Sequence, residues 1–357
     1  MKNKKKIYLV SSGTGGHAAP ILLLYKKLLN VPKLEVEILH SGTKIERDLF
    51  RGTKSRKIIS AKFDRNSFLK KTISYPIIFA GLLQAKALLI FKRPDMIFSK
   101  GGYGAVPVLL VARILKIPYF LHESDSHMGL ANKAFTDKAK KVFLGFPNDI
   151  YDQDFSDKKY QYVGQIVGVF PKIKKNSRKT IYITGGSQGA ESINKIIYKI
   201  VDKLIKEYSI FHQVGDNNTE GAKKIKNGLG ENAKNYNFFG FSTDKAKEAT
   251  SKADLIIARA GANTIGEIAI NKKASILIPY PYAASDHQTK NAKYLEKTGS
   301  AIIINQGQLS ENSLLERIEY LLGNMSNSKI LGEKIGKAIK TDGLKSVAEV
   351  IINSIKD

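Results

Sequence analysis

Short runs of β-branched and aromatic residues alternate, from end to end of the chain, with stretches in which Leu and Ile recur every three or four positions. The short runs read as strands at Ile7–Ser12, Val36–His40, Met96–Ser99, Tyr119–His122, Val142–Phe146, Ile181–Thr184, Phe211–Val214, Asn237–Phe239, Leu255–Ala258, Ser275–Ile278 and Ala301–Ile304. The periodic stretches between them read as helices. Such alternation predicts an α/β fold of doubly wound parallel sheets with helices on both faces. In these sheets ligands bind beyond the carboxyl ends of the strands, and nearly every unusual polar cluster in this sequence falls at such an end.

One local pattern occurs twice. Ile7–Val10 empties into Ser11-Ser12-Gly13-Thr14-Gly15-Gly16-His17, and Thr180–Thr184 empties into Gly185-Gly186-Ser187-Gln188-Gly189-Ala190. A strand, a glycine turn and a helix start make an anion site. The first helical N–H groups are unpaired, the dipole is positive there, and glycine admits close approach. Two such sites imply two phosphate-bearing ligands, or one ligand held between two domains. The 357 residues also exceed what one core usually serves. Val163–Ser177 lacks periodicity and reads as the link, so domains are expected at residues 1–168 and 169–357. The last stretch, from about Ser328 to Ile355, reads as helical and able to pack back on the first domain.

Composition narrows the class. Hydrophobic content of 43% and charged content of 25% suit a water-soluble globular protein. The absence of cysteine excludes disulfides, thiolate metal sites and cysteine nucleophiles, and fits a reducing compartment. The basic start, Met1–Lys6, precedes an apolar run of about four residues, short of the roughly 7–15 of a signal peptide, so a cytosolic protein is expected. A net charge of +26 suits an anionic membrane leaflet, phosphorylated substrates or a generally lysine-rich surface. It is spread along the chain without zinc-finger spacing, an RNP-like motif or an arginine stripe, so no nucleic-acid partner is expected. The apolar segment Phe68–Phe91 is interrupted by Pro76, Gln84 and Lys86, which argues against a membrane span. It reads either as a buried helix or as an interfacial one with basic ends.

Several turns carry candidate chemistry. A dinucleotide site at Gly13–His17 would want an acidic residue ending the second strand, which here ends His40-Ser41-Gly42, so NAD binding is not expected. His17, at a helix start beside the glycine turn, is either a capping or packing residue or a base for a substrate hydroxyl. Lys100-Gly101-Gly102-Tyr103-Gly104 and His122-Glu123-Ser124-Asp125 close two further strands of the first half. In the second half Thr264-x-x-Glu267 has the spacing of a capping box. The alternative is that Gly261-Ala262 presents N–H groups to a phosphate while Glu267 accepts from ribose hydroxyls. Asp152-Gln153-Asp154 mimics the Asp-x-Asp of metal-dependent sugar transferases, but its polar loop context argues against a metal.

Gly13–His17, Gly101–Tyr103, His122-Glu123, Gly185–Ala190, Gly261–Glu267 and His287-Gln288 occur in the order and spacing of the MurG family. These are family-28 glycosyltransferases that add N-acetylglucosamine to the lipid-linked muramyl peptide in peptidoglycan synthesis. The sequence resembles them from about residue 7 to 310. The resemblance implies a GT-B fold, two Rossmann-like domains facing a cleft, and inverting transfer from UDP-GlcNAc without a metal or cofactor. It implies that the C-terminal half binds UDP-GlcNAc. Ser187, Gln188 and Gly189 would hold the diphosphate and Phe241 would sit near the uracil. Gly261, Ala262, Asn263, Thr264, Ile265, Gly266 and Glu267 would line the nucleotide, with Gln288 at the sugar. It implies that the N-terminal half binds a polyprenyl-diphosphate-linked muramyl peptide through Thr14, Gly15, Gly16, Tyr103, His122, Glu123 and Asp125. His17 would act as base or orienter, with Glu267 the second catalytic residue. Phe68–Phe91 and nearby Lys and Arg would dock on the anionic cytoplasmic face of the membrane, making the protein peripheral.

The sequence departs from that pattern in two places. Ser124-Asp125 stands where the family usually has Gln-Asn. Gln165-Ile166-Val167-Gly168 stands where it has Asn-Pro-Val-Arg, so an expected arginine is missing, and Lys100 or Lys133 would have to compensate. These departures motivate one alternative, an inactive GT-B scaffold that binds membrane or wall precursors; a related glycolipid transferase such as a diacylglycerol glucosyltransferase, which shares the fold and the nucleotide half, and a UDP-sugar epimerase are the others.

Overall fold

The structure, a computed structural model, describes residues 4–61, 68–151, 155–173 and 177–356, and of residues 68–74 the backbone alone. Asp152-Gln153-Asp154 lies outside the described residues. The chain divides into two compact units, Met1–Val167 with Thr341–Asp357, and Gly168–Lys340.

In the first unit β1 (Lys5–Val10), β2 (Leu34–His40), β3 (Ser55–Lys57), β4 (Met96–Ser99), β5 (Tyr119–Glu123), β6 (Lys141–Leu144) and β7 (Tyr160–Tyr162) form one parallel sheet in the order β3-β2-β1-β4-β5-β6-β7. Val10 pairs with Leu39 on one side and Ser99 on the other. Helices α1 (Gly15–Leu28), α2 (Lys44–Leu49), α3 (Phe68–Phe91), α4 (Val106–Ile114) and α5 (Leu130–Phe135) complete this part of the chain. Ile7, Tyr8, Leu9 and Val10 are all buried, as a strand covered on both faces requires. Strand order reverses between β1 and β4, so the carboxyl ends of these two strands form the switch point. The Gly13 turn leaves one of them and the Gly101 turn leaves the other.

The second unit repeats the plan. Strands β8 (Thr180–Thr184), β9 (Ser209–Gln213), β10 (Tyr236–Phe239), β11 (Leu255–Ala258), β12 (Ala274–Leu277) and β13 (Ile302–Ile303) lie parallel in the order β10-β9-β8-β11-β12-β13. The helices are α6 (Glu191–Glu207), α7 (Thr219–Asn227), α8 (Thr243–Lys252), α9 (Ala262–Ile270), α10 (His287–Lys297), α11 (Glu311–Gly323) and α12 (Met325–Ala338). The switch point falls between β8 and β11, at the Gly185 and Gly261 turns. The final helix α13 (Gly343–Lys356) belongs to the first unit, where Val347, Ala348 and Ile351 join a core with Ile21, Leu24 and Leu28. The helical stretch expected from Ser328 onward is therefore two helices, α12 and α13, serving different units.

Three features differ from expectation. Strands β3 and β7 are three-residue edge strands without an apolar run, so periodicity missed them. Helix α9 begins at Ala262 with Gly261 as N-cap and no side-chain cap bond. Thr264 lies inside the helix, so the capping-box reading of Thr264 and Glu267 is corrected. Helix α3 divides its surface. Gly81, Ala85, Leu88 and Leu89 face the unit, and Gly81 is close enough to Ile59 that a Cβ would sit 2.0 Å from its carbonyl oxygen. Tyr75, Phe79, Leu83, Lys86 and Ile90 recur at helical spacing on the other side, where Phe79 is 61% exposed, and the helix ends at Phe91, 84% exposed. No helix among the described residues is long and apolar enough to cross a membrane.

Candidate functional site

In the first unit the turns that leave β1 and β4 interlock. A Cβ on Gly13 would lie 2.8 Å from the Tyr103 ring, so ring and turn are in contact. Ser12 Oγ accepts from Gly104 N at 2.7 Å. Gly102 has φ 80° and leaves room for no side chain. A Cβ there would stand 2.7 Å from Ser12 Oγ and 3.6 Å from His17 Nε2. His17, in the first turn of α1, is thus placed with Nε2 over Gly102 and Nδ1 3.0 Å from Thr14 Oγ1. Thr14, Gly15, Gly16, His17 and Tyr103 are brought together at one switch point and are all partly or fully exposed.

His122 and Glu123, at the end of β5, are turned inward. His122 is fully buried, with Nδ1 3.1 Å from Lys100 Nζ and Nε2 3.3 Å from the Gly164 carbonyl. Lys100 is a donor only, so it donates to Nδ1, and the ring carries its proton on Nε2 and gives it to Gly164. Burial, with the Lys100 charge adding to it, holds His122 well below the ordinary histidine range. Lys100 is 2% exposed, is pulled down by that burial against the fields of Glu123 and Asp125, and also donates to Ser124 Oγ. The Glu123 carboxylate accepts from Asp125 N (3.1 Å), Gly129 N (2.9 Å) and Asn132 Nδ2 (2.9 Å). These bonds fold the loop 124–129 beside the switch point. Of the expected trio only Asp125 is partly exposed.

The second unit holds its glycine turn by a hydroxyl relay. Gly186 N donates to Thr184 Oγ1 (3.0 Å), which donates to Gln213 Oε1 (3.1 Å), which also accepts from Tyr182 OH (2.7 Å). Gly189 has φ 76°, and a Cβ there would lie 2.0 Å from the Val214 carbonyl, so only glycine fits. Gly189 N closes the turn on Gly186 O at 3.1 Å. Between Gly186 and Gly189, Ser187 is partly exposed and Gln188 exposed, just before α6 begins at Glu191. Arg259 ties the neighbouring ends together. Its guanidinium donates to the Ile278 and Pro279 carbonyls, to Ser192 Oγ in α6 and to Gln306 Oε1.

Along α9 the expected nucleotide set splits by face. Ala262, Ile265 and Gly266 are buried, whereas Asn263, Thr264 and Glu267 are partly exposed on the other side, with Gly261 at the cap. Low-dielectric surroundings push the Glu267 carboxyl up to about 7, with Lys247 opposing. Gln288 Oε1 accepts from Tyr280 N (3.0 Å), just after the left-handed pair Ser285 and Asp286. Phe241 is half-buried, its N–H bonded to Asp216 Oδ1 at 2.7 Å.

Two doubly wound parallel sheets, each with a glycine turn at its switch point, are the architecture of GT-B glycosyltransferases. Residues 7–144 match the glycosyltransferase family 28 N-terminal domain and residues 180–349 its C-terminal domain. The chain belongs to glycosyltransferase family 28. It is 31% identical, over 97% of its own length and 98% of the relative's, to a Clostridium botulinum (strain Hall) protein named UDP-N-acetylglucosamine–N-acetylmuramyl-(pentapeptide) pyrophosphoryl-undecaprenol N-acetylglucosamine transferase. A protein of the same name from Shewanella sp. (strain MR-4) is 30% identical over 98% of this chain and 97% of that one. Among solved structures, Acinetobacter baumannii MurG superposes with a TM-score of 0.75 at 26% identity, covering 98% of this chain and 99% of its own.

Proposed function

We propose that the protein transfers N-acetylglucosamine from UDP-GlcNAc to a polyprenyl-diphosphate-linked muramyl peptide, inverting the anomeric carbon, at the cytoplasmic face of the membrane. The observation that carries this reading is His17. Its Nε2 lies over Gly102 at the first unit's switch point, in a chain whose full-length relatives bear that activity in their names. With Nδ1–H donated to Thr14 Oγ1, Nε2 is the basic nitrogen. It takes the proton of the acceptor hydroxyl as that oxygen bonds to the anomeric carbon and the bond from that carbon to the UDP oxygen breaks. The departing negative charge rests on the N–H groups of Ser187, Gln188 and α6 and on the dipole of that helix. Glu267 accepts from the ribose hydroxyls, and Gln288 contacts the sugar. His122 and Glu123 act from beneath, by shaping the loop that carries Asp125. No metal has a part in this scheme. The exposed stripe of α3, with Lys86 within it and Lys92 and Arg93 just past its end, docks on anionic lipid and brings the site to its acceptor.

The test is UDP release from UDP-GlcNAc with and without a short-chain acceptor analogue, for the wild type and His17→Ala. Acceptor-dependent release that falls at least about 100-fold in the variant, the lower range for loss of a general base, is the expected result. UDP binding without any acceptor-dependent release would refute the assignment.

A further inference from the structure

Glu46 is a carboxylate with 0% exposure that none of the chemistry above uses. It sits in the first turn of α2, where Thr43 and Glu46 form a capping box. That box accounts for its bonds from Thr43 N (3.1 Å) and Thr43 Oγ1 (3.2 Å), the hydroxyl sharing its one proton with the Gly13 carbonyl at 3.0 Å. It does not account for the rest. Oε1 accepts from Ser11 Oγ and from Gly13 N, both at 3.0 Å, and Oε2 also accepts from Ser41 Oγ at 2.6 Å. Burial pushes this carboxyl up, and the donors outweigh burial and hold it below the usual range.

The bonds reach further than the cap. Ser41 Oγ is 3.4 Å from Tyr103 OH, the Tyr103 ring lies on Gly13, and Ser12 Oγ holds Gly104 N. The loops that leave β1, β2 and β4 therefore meet around one anion. We propose that Glu46 is the positioning residue of the acceptor half. It is an internal carboxylate that occupies the Gly13 N–H, fixes the turn carrying Thr14 and His17, and so directs an incoming diphosphate past Gly13 toward Gly15 and Gly16. The inference rests on the reading that the first unit binds the diphosphate-linked acceptor.

The arrangement is selective for a carboxylate. Each oxygen holds one backbone N–H, Gly13's on Oε1 and Thr43's on Oε2. A carboxamide has a single acceptor oxygen, so in either orientation its NH2 group confronts a backbone N–H that cannot reverse. A residue that merely capped α2 would tolerate glutamine, which serves in capping boxes.

The experiment measures initial rates of the full chain with UDP-GlcNAc and a short-chain polyprenyl-diphosphate muramyl-peptide acceptor, for the wild type and Glu46→Gln, alongside amide hydrogen exchange. The expected result is an acceptor KM raised roughly tenfold or more, an unchanged UDP-GlcNAc KM, faster exchange in residues 11–17 and unchanged exchange in residues 185–190. An active wild type with an unaltered acceptor KM in Glu46→Gln would overturn the inference and leave the function standing. A wild type that neither binds nor glycosylates the acceptor would overturn the functional reading and the inference with it. If Glu46→Gln does not fold, Ser11→Ala decides, since it removes one donor and keeps the carboxylate. An acceptor KM raised roughly threefold supports the proposal, and no change refutes it.

Discussion

Thr14 is the N-cap of α1, yet its hydroxyl makes no cap bond and instead stands 3.0 Å from His17 Nδ1. A threonine in that position ordinarily serves the helix, whereas this one serves a side chain. Thr14→Val should therefore lower kcat by about tenfold, through loss of one hydrogen bond of about 1.5 kcal/mol to the imidazole. UDP-GlcNAc affinity and thermal stability should be close to those of the wild type, and Thr14→Ser should restore the rate. A drop in melting temperature with kcat intact would return Thr14 to an ordinary capping role.

Glu267 links binding to pH. Its carboxyl is pushed up to about 7, so it ionises across neutrality. In the proposed function ribose hydroxyls donate to this carboxylate, and on that reading affinity for UDP should rise from pH 6 to pH 8 in the wild type and be flat in Glu267→Gln. Glu267→Ala should weaken UDP binding roughly 10–150-fold, the equivalent of a charged hydrogen bond of about 1.5–3 kcal/mol. The folded state holds this proton up to about 7, while the unfolded state releases it near the ordinary 4.5. The group therefore lowers stability as pH climbs through that window. Ligand-free Glu267→Gln should consequently melt higher than the wild type at pH 8, and calorimetry at pH 5 and pH 8 checks both signs.

His212 works in the opposite direction. It is fully buried, with Nδ1 2.9 Å from Tyr236 OH and Nε2 3.0 Å from Asn194 Oδ1, and burial holds it down at about 3. Below the ordinary 6.5 the unfolded chain takes a proton that the folded chain refuses, so the second unit should lose stability as pH falls. At pH 5 the loss is about 2 kcal/mol. His212→Gln should be less stable at pH 7 and show a flatter profile between pH 7 and pH 5 in denaturant titrations.

The α3 stripe makes a membrane prediction. Phe79→Asp with Leu83→Asp should reduce sedimentation with phosphatidylglycerol vesicles by roughly tenfold or more, since each side chain would otherwise contribute about 1.5–3 kcal/mol on burial. Transfer to a water-soluble acceptor analogue should be unaffected. Equal vesicle binding by the double variant would place the docking surface elsewhere.

The sequence and the structure agree where one residue type has no substitute. The turns at Gly102 and Gly189 need left-handed backbone with no room for a Cβ, so their glycines mark them directly. They part where a motif depends on the frame around it. Thr-x-x-Glu occurs at Thr43 and again at Thr264, and only the first is a capping box, because α9 has already begun at Ala262. The pattern at Thr43 was the signal that would have found Glu46. Strand ends show where polar residues cluster, but not which way they turn. His122 and Glu123 end β5 as expected, and they point into the fold because Lys100, Gly164, Gly129 and Asn132 offer partners there. Edge strands β3 and β7 have half a sheet's burial and carry no pattern to read.

The return of α13 to the first unit has a consequence for synthesis on the ribosome. The core that includes Ile21, Leu24 and Leu28 is closed by Val347, Ala348 and Ile351, which are translated more than three hundred residues later. The second unit, continuous from Gly168 to Lys340, has all of its own residues before then. Order of translation and order of completion are thus reversed. The half made first must wait with an apolar groove along α1 until the last helix emerges, and that interval is when the nascent protein is most exposed to chaperones and to aggregation.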